Sequence, residues 1–456
     1  MISKPSHPRY IKYEVLGSLP SDQASVMVCG QHQEETMKSN RIPRAVTTFL
    51  AILPIFWFAL AAAAKGSPGL KLVYYFTNDK NPYGNLLLDS QGYLYGTTVN
   101  GGDDSLGTVF KLAPYGQYWQ QIESYSFYNH DGLDGFSPYS GVVMDAAGNL
   151  YGTTLHGGAH DGGTVFEIEQ TDAGWIESVI YSFCSETDCQ DGANPYASLI
   201  FDAAGNLYGT TYGGGDHNNG TVFELSPIGG GGWAEKVLHR FINNPGTDQV
   251  DGYNPYGGVT FDAAGNLYGT TVYGGTRGRN QNYGTVFKLF PSDGGNWKEE
   301  ILYSFPGAGK GYFPHCTPAM DAAGNIYGTT LEGGLKGAAG TVFGLSLIKK
   351  KWQEKVLHSF GHGDYGDGIM PVGGVILDAE GNLYGSTSNG GNRSDSGVVF
   401  KLASGTNGWT YTRFQLRDQK GASPQSGLIF DQTGNLLGTA SKGGEGDAGT
   451  IFRATF

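Results

Sequence analysis

Short apolar runs return along this chain at a nearly fixed interval, and each is followed by the same polar turn. Leu86-Leu87-Leu88, Val142-Val143-Met144, Leu199-Ile200-Phe201 and Val375-Ile376-Leu377 each precede an Asp-x-x-Gly. Runs this short, without polar alternation, predict strands buried on both faces. The Asp offers its side chain to backbone groups two residues on, and the Gly supplies the positive φ that closes the turn. A second strand follows in Asn-Leu-Tyr-Gly-Thr-Thr, rich in aromatic and β-branched residues. After a glycine-rich loop, Gly-Thr-Val-Phe opens a third strand, and Trp119, Trp175, Trp233, Trp297, Trp352 and Trp409 introduce a fourth. No segment of the repeats has a helical period.

The Asp anchors stand at Asp89, Asp145, Asp202, Asp262, Asp321, Asp378 and Asp431, between 53 and 60 residues apart. A constant interval of this length marks an array of supersecondary units. Four antiparallel strands per unit make a propeller blade, so the expected fold is an all-β, seven-bladed β-propeller. Lys71 to Phe76 (KLVYYF) matches the fourth-strand segments KVLHRF and KVLHSF, whereas the seventh unit stops after its third strand. The segment from about 70 to 76 is therefore expected to complete the last blade. Closure of this kind removes open edges, which otherwise invite aggregation.

The 456 residues divide into 1–36, unstructured or outside the translated chain if translation starts at Met37, then 37–64, and the propeller over 65–456. Residues 37–64 have the outline of a signal peptide: Lys38, Arg41 and Arg44, an apolar core, then small residues. An uncleaved signal anchor is the competing reading. Either one places the repeats outside the cytoplasm, secreted, periplasmic or on the cell surface. Cys184 and Cys189 are spaced to close a small disulfide, which suits an oxidising compartment, and Cys316 has no evident partner.

Glycine, 75 residues, occupies turns and loops without a collagen period, and the net charge of −13 disfavours nucleic acid and anionic membrane surfaces. The string D-x-x-G-N-L-Y-G-T-T-x-x-G-G-x(n)-G-T-V-F-K-L, over residues 71–456, resembles the GloVer tandem repeat named after Gloeobacter and Verrucomicrobia. Its D-x-x-G-N-L-Y portion is also similar to NHL-type propeller repeats. The resemblance implies an exported propeller and brings no catalytic residues with it. Members are often tethered by C-terminal segments, so any tether here is expected at the N-terminus.

Catalytic signatures such as G-x-S-x-G, HExxH, a P-loop or C-x-x-C are absent from the sequence. Binding is expected on the rim carrying the variable loops, near the axis. The candidates there are His130, Asp131, His156, His160, Asp161, Asp216 and His217. Zinc or calcium are candidate ions for this loop chemistry, although no metal-binding pattern is present and the default is no cofactor. The Trp series, and His239 and His358 at positions held by Tyr in sister units, are read as packing between blades. Two functions follow: a monomeric, non-catalytic scaffold binding a protein or glycan, or an extracellular polysaccharide-active enzyme using the same rim.

Overall fold

Every repeat places Leu-Tyr-Gly-Thr-Thr against Thr-Val-Phe, and this pair forms the heart of a blade. In the fourth repeat the inner strand is Thr260–Phe261, the second Leu267–Thr271, the third Thr285–Pro291 and the outer Trp297–Ser304. They hydrogen-bond in that order, all antiparallel. The computed structural model describes residues 67–456 apart from 130–131, 243–250, 276–281, 336–338, 362–365, 392, 407 and 418–419. Residues 1–36 and the leader-like segment 37–64 lie outside the described residues. Among the described residues seven such four-stranded sheets form a seven-bladed β-propeller.

One expectation is corrected. The inner strands are two or three residues long and half-buried, whereas the second strand is buried at every position in six of the seven blades. The cause is the Gly at its centre. A Cβ on Gly269 would lie 2.3 Å from the Phe287 ring, so the third strand's Phe folds across the glycine and shields it. The same contact appears at Gly96 with Phe110 and Gly152 with Phe166.

Each Asp anchor organises its turn through both carboxylate oxygens. Asp262 Oδ1 accepts from the backbone N–H groups of Ala264 and Asn266, at 2.9 Å each. Its Oδ2 accepts from Asn266 Nδ2 (2.7 Å) and the Tyr268 hydroxyl (3.0 Å). The tyrosine of Leu-Tyr-Gly thereby ties the turn to the core, and the Trp of the next blade packs against it. Trp233 lies 5.8 Å from Tyr151 and Trp175 6.4 Å from Tyr95, ring centre to ring centre.

The ring closes through Gly69–Tyr75, which pairs antiparallel with Thr450–Thr455, from Gly69 opposite Thr455 to Tyr75 opposite Thr450. Its register slips at Val73, as the outer strands of other blades slip at the equivalent residue. Phe76 and Val73 then join Leu86, Leu94, Phe110, Leu437 and Ile451 in one core shared by the last and first blades.

Candidate functional site

A proline precedes every inner strand: Pro82, Pro138, Pro195, Pro255, Pro314, Pro371 and Pro424. The residue before it has positive φ in all seven blades: Asn81, Ser137, Asn194, Asn254, Phe313, Met370 and Ser423, between 53° and 59°. Proline disfavours helical backbone at the preceding residue, so this geometry must be held from outside. It is. Asn254 N–H donates to the Asn219 carbonyl of the preceding blade (2.7 Å), and its own carbonyl accepts from Val272 N–H (3.2 Å). Asn tolerates this backbone better than bulky residues do. Met370→Asn is therefore expected to stabilise the protein by about 0.5–1 kcal/mol, read as a higher urea midpoint at unchanged slope.

The residue after each proline lines the mouth of the central channel: Tyr83, Tyr139, Tyr196, Tyr256, His315, Val372 and Gln425, all half-buried. Beneath them the neck is drawn tight. A Cβ on Gly373 would lie 2.1 Å from the Ser426 carbonyl oxygen, and one on Gly141 2.2 Å from that of Asn85. Hydroxyls from the second strands fasten six of the seven blades to the next one's channel loop, Thr329 of the fifth blade being the exception. Thr97 donates to the Ser140 carbonyl (2.6 Å), Thr270 to that of Cys316 (2.7 Å), and Thr439 to that of Gly84 (3.5 Å) across the closure.

Five of the seven mouth positions form a continuous aromatic arc. Ring centres are 5.3 Å apart for Tyr83–Tyr139, 5.5 Å for Tyr139–Tyr196, and 4.7 Å for both Tyr196–Tyr256 and Tyr256–His315. Tyr212 extends it outward, 5.6 Å from Tyr196. Val372 and Gln425 interrupt it on the opposite side. Burial pushes the His315 imidazole down to about 4, so it is neutral at physiological pH. Burial likewise raises the Tyr139, Tyr196 and Tyr256 hydroxyls. Among the described lining residues none is formally charged.

The histidines and acids singled out from the sequence sit farther out on loops. His130 and Asp131 lie outside the described residues. His156 pairs with Phe136 in a short ladder, its ring 5.4 Å from the phenyl, while His160 is exposed. Asp161 Oδ1 accepts from Gly157 N–H (3.0 Å), as Asn218 Oδ1 does from Gly214 N–H (2.7 Å), so Asp161 serves its loop. Asp216 and the exposed His217 fall in the short turn Asp216–Asn218. Cys184 and Cys189 are joined in a disulfide, and Cys316 is a buried free thiol.

A second recurring cluster lies between outer strands, where a Tyr or His of one blade meets an Asp of the following loop and the residue two beyond the next blade's Trp. Tyr125, Asp134 and Glu177 form one, Tyr181, Asp191 and Glu235 another, and His239, Asp251 and Glu299 a third. Only the third, among the described residues, offers three convergent metal-ligating groups. Burial followed by the nearby Asp134 pushes Glu177 up to about 7. Burial, then Asp191 and Glu186, push Glu235 up to about 8 against the lowering effect of Arg240.

These shifts set opposite pH limits. Burial raises the Asp262 carboxyl, but hydrogen bonds from Asn266, Tyr268 and Ala264 outweigh it and hold the group below its usual value. Asp202, Asp321, Asp378 and Asp431 are also lowered. Their contribution is present above about pH 4 and disappears as pH falls through the folded values. Glu177 and Glu235 contribute most below about pH 4.3, and that contribution is lost as pH rises through about 7 and 8. Thermal midpoints should therefore decline at both ends of the range. Glu235→Gln should raise the midpoint at pH 8.5 relative to wild type and leave the acid limb unchanged.

Comparison with solved structures places the propeller beside a polysaccharide lyase described as a PL25 ulvan lyase. The TM-score is 0.51 at 12% identity, covering 84% of this chain and 96% of that one. That likeness is one of fold. A luciferin-regenerating enzyme aligns at a TM-score of 0.38 and 12% identity, over 86% of this chain and 96% of its own, too slight a likeness to argue from. No curated protein matches the sequence. The repeat itself is decisive: its family model spans residues 66–281 and 276–456, and the chain belongs to the Gloeobacter/Verrucomicrobia repeat family.

Proposed function

We propose that this propeller is a non-catalytic binding module that receives an uncharged glycan chain across the aromatic side of its channel mouth. The arc from Tyr83 to His315 carries the reading. Aromatic rings present rigid apolar faces with a polar edge, which suits the alternating CH and hydroxyl surfaces of sugars. The open space between mouth and neck is about 90 Å³. That is well below the roughly 300 Å³ at which pockets begin to enclose small molecules, so the ligand lies over the mouth and not inside it. Uncharged lining and a net charge of −13 favour a neutral polymer over an acidic one. The basic and apolar pattern of residues 37–64 supports an export route toward such a ligand.

Affinity electrophoresis through gels containing neutral or acidic polysaccharides tests this. Retardation is expected with a neutral polymer, weakened about tenfold or more by Tyr196→Ala or Tyr256→Ala. Migration unaffected by every neutral polymer would count against glycan binding. The contact between Tyr256 and His315 favours a second reading, in which the pair transfers a proton during polysaccharide cleavage. New unsaturated or reducing ends, lost in His315→Gln, would select that reading.

A further inference from the structure

We propose that His239, Asp251 and Glu299 bind one divalent cation of zinc type at the boundary between the third and fourth blades. His239 comes from the outer strand Gly232–Arg240, Asp251 from the loop after it, and Glu299 from the outer strand Trp297–Ser304. The His239 Nε2 lies 3.6 Å from Asp251 Oδ2 and 3.8 Å from Glu299 Oε2, and the donor atoms all fall within 4.8 Å of one another. Ligands held about 2.0–2.1 Å from a tetrahedral zinc stand roughly 3.4 Å apart, so the two contacts to the imidazole need to shorten by only a few tenths of an ångström. One imidazole with carboxylates is a donor set that zinc accepts, and the nitrogen makes it a poor site for calcium.

A second observation is independent of that spacing. The Asp251 side chain is only 4% exposed, and its Oδ1 has no hydrogen-bond partner, while Oδ2 accepts from Ile242 N–H at 2.9 Å. The buried His239 Nε2 and Glu299 Oε1 have no hydrogen-bond partner either. Only a proton shared between the Asp251 and Glu299 carboxyls joins these buried atoms, and a cation can take its place.

Sister boundaries show how the same slot is otherwise filled. Between the fourth and fifth blades Lys310 supplies a positive charge, its Nζ 2.6 Å from Glu354. Between the last and first, Gln121 is a neutral link, accepting from the Tyr74 hydroxyl and donating to Asp79. Between the fifth and sixth, His358 meets Asp367 at 3.3 Å, but Tyr411 stands in the glutamate's place and stacks on the imidazole at 4.0 Å. Asp191 is saturated by the Tyr181 and Ser185 hydroxyls and by the N–H groups of Ser185 and Glu186. The boundary at His239 alone, among the described residues, unites an imidazole with two carboxylates.

Untagged full-length protein stripped with chelator, reloaded with zinc chloride and desalted provides the test. About one zinc per chain is expected by elemental mass spectrometry, with a thermal midpoint raised by zinc and unmoved by calcium. His239→Tyr, the residue used in sister blades, and Glu299→Gln should each reduce zinc to background, whereas His358→Tyr should retain it. The paired variants keep the test decisive if one of them fails to fold. Zinc at background in the wild type, stoichiometric zinc surviving both His239→Tyr and Glu299→Gln, or an equal response to calcium would overturn the site.

Discussion

Deleting residues 69–76 is expected to abolish cooperative unfolding and to leave a protein that aggregates. These residues complete the last blade through six residue pairs with Thr450–Thr455, and the buried Val73 and Phe76 belong to the core between the last and first blades. Without them the Thr450–Thr455 strand becomes a free edge, a template for pairing with other chains. A graded version replaces only the anchor. Phe76 is fully buried, its ring 5.1 Å from that of Phe110, so Phe76→Ala should cost about 3–5 kcal/mol in urea denaturation. A truncated protein that stays monomeric with the wild-type midpoint would refute closure by this strand.

Gly373→Ala should be nearly as damaging, for a different reason. The added methyl would meet the Ser426 carbonyl oxygen at 2.1 Å and its carbon at 2.4 Å. Both are backbone atoms of the adjacent channel loop, so relief requires moving one blade relative to another. A loss of more than about 3 kcal/mol is expected, at the upper end for overpacking. Gly265→Ala makes the natural control. Its φ is 81°, but a Cβ there meets nothing within 4 Å, so only the backbone penalty of about 1–2 kcal/mol applies. Equal losses in the two variants would show that the neck is looser than the contacts indicate.

The architecture was legible because it rests on repetition. Seven Asp-x-x-Gly turns, a Trp at the start of six outer strands, and an unmatched KLVYYF segment together define blades and closure without any tertiary information. Burial was harder to assign. Leu-Tyr-Gly-Thr-Thr looks less apolar than Leu-Leu-Leu, yet the second strand is the buried one, because Phe rings cover its glycines and hydroxyls such as Thr271 and Thr285 pair at 2.7 Å. The aromatic arc escapes a linear reading although its signal stands in the sequence as Pro-Tyr at 82, 138, 195 and 255. Read one at a time these dipeptides look like loop punctuation, and only the ring stacks them. His239 reads as packing in the sequence because Tyr fills its slot elsewhere. What that reading cannot include is Glu299, 60 positions away on the next blade and brought close only by the curvature of the ring.

The clasp between the first and last sheets also governs the order of events during synthesis. Thr439 and Gly84, which meet across it, are 355 positions apart, so the opening strand must wait unpartnered until nearly the whole polypeptide has emerged. Contacts of such separation form slowly, because a long loop must be closed before any stabilisation is gained. Nascent chains should thus accumulate as a crescent of finished blades with one exposed end, and the period of greatest exposure to proteases and chaperones comes just before the circle shuts.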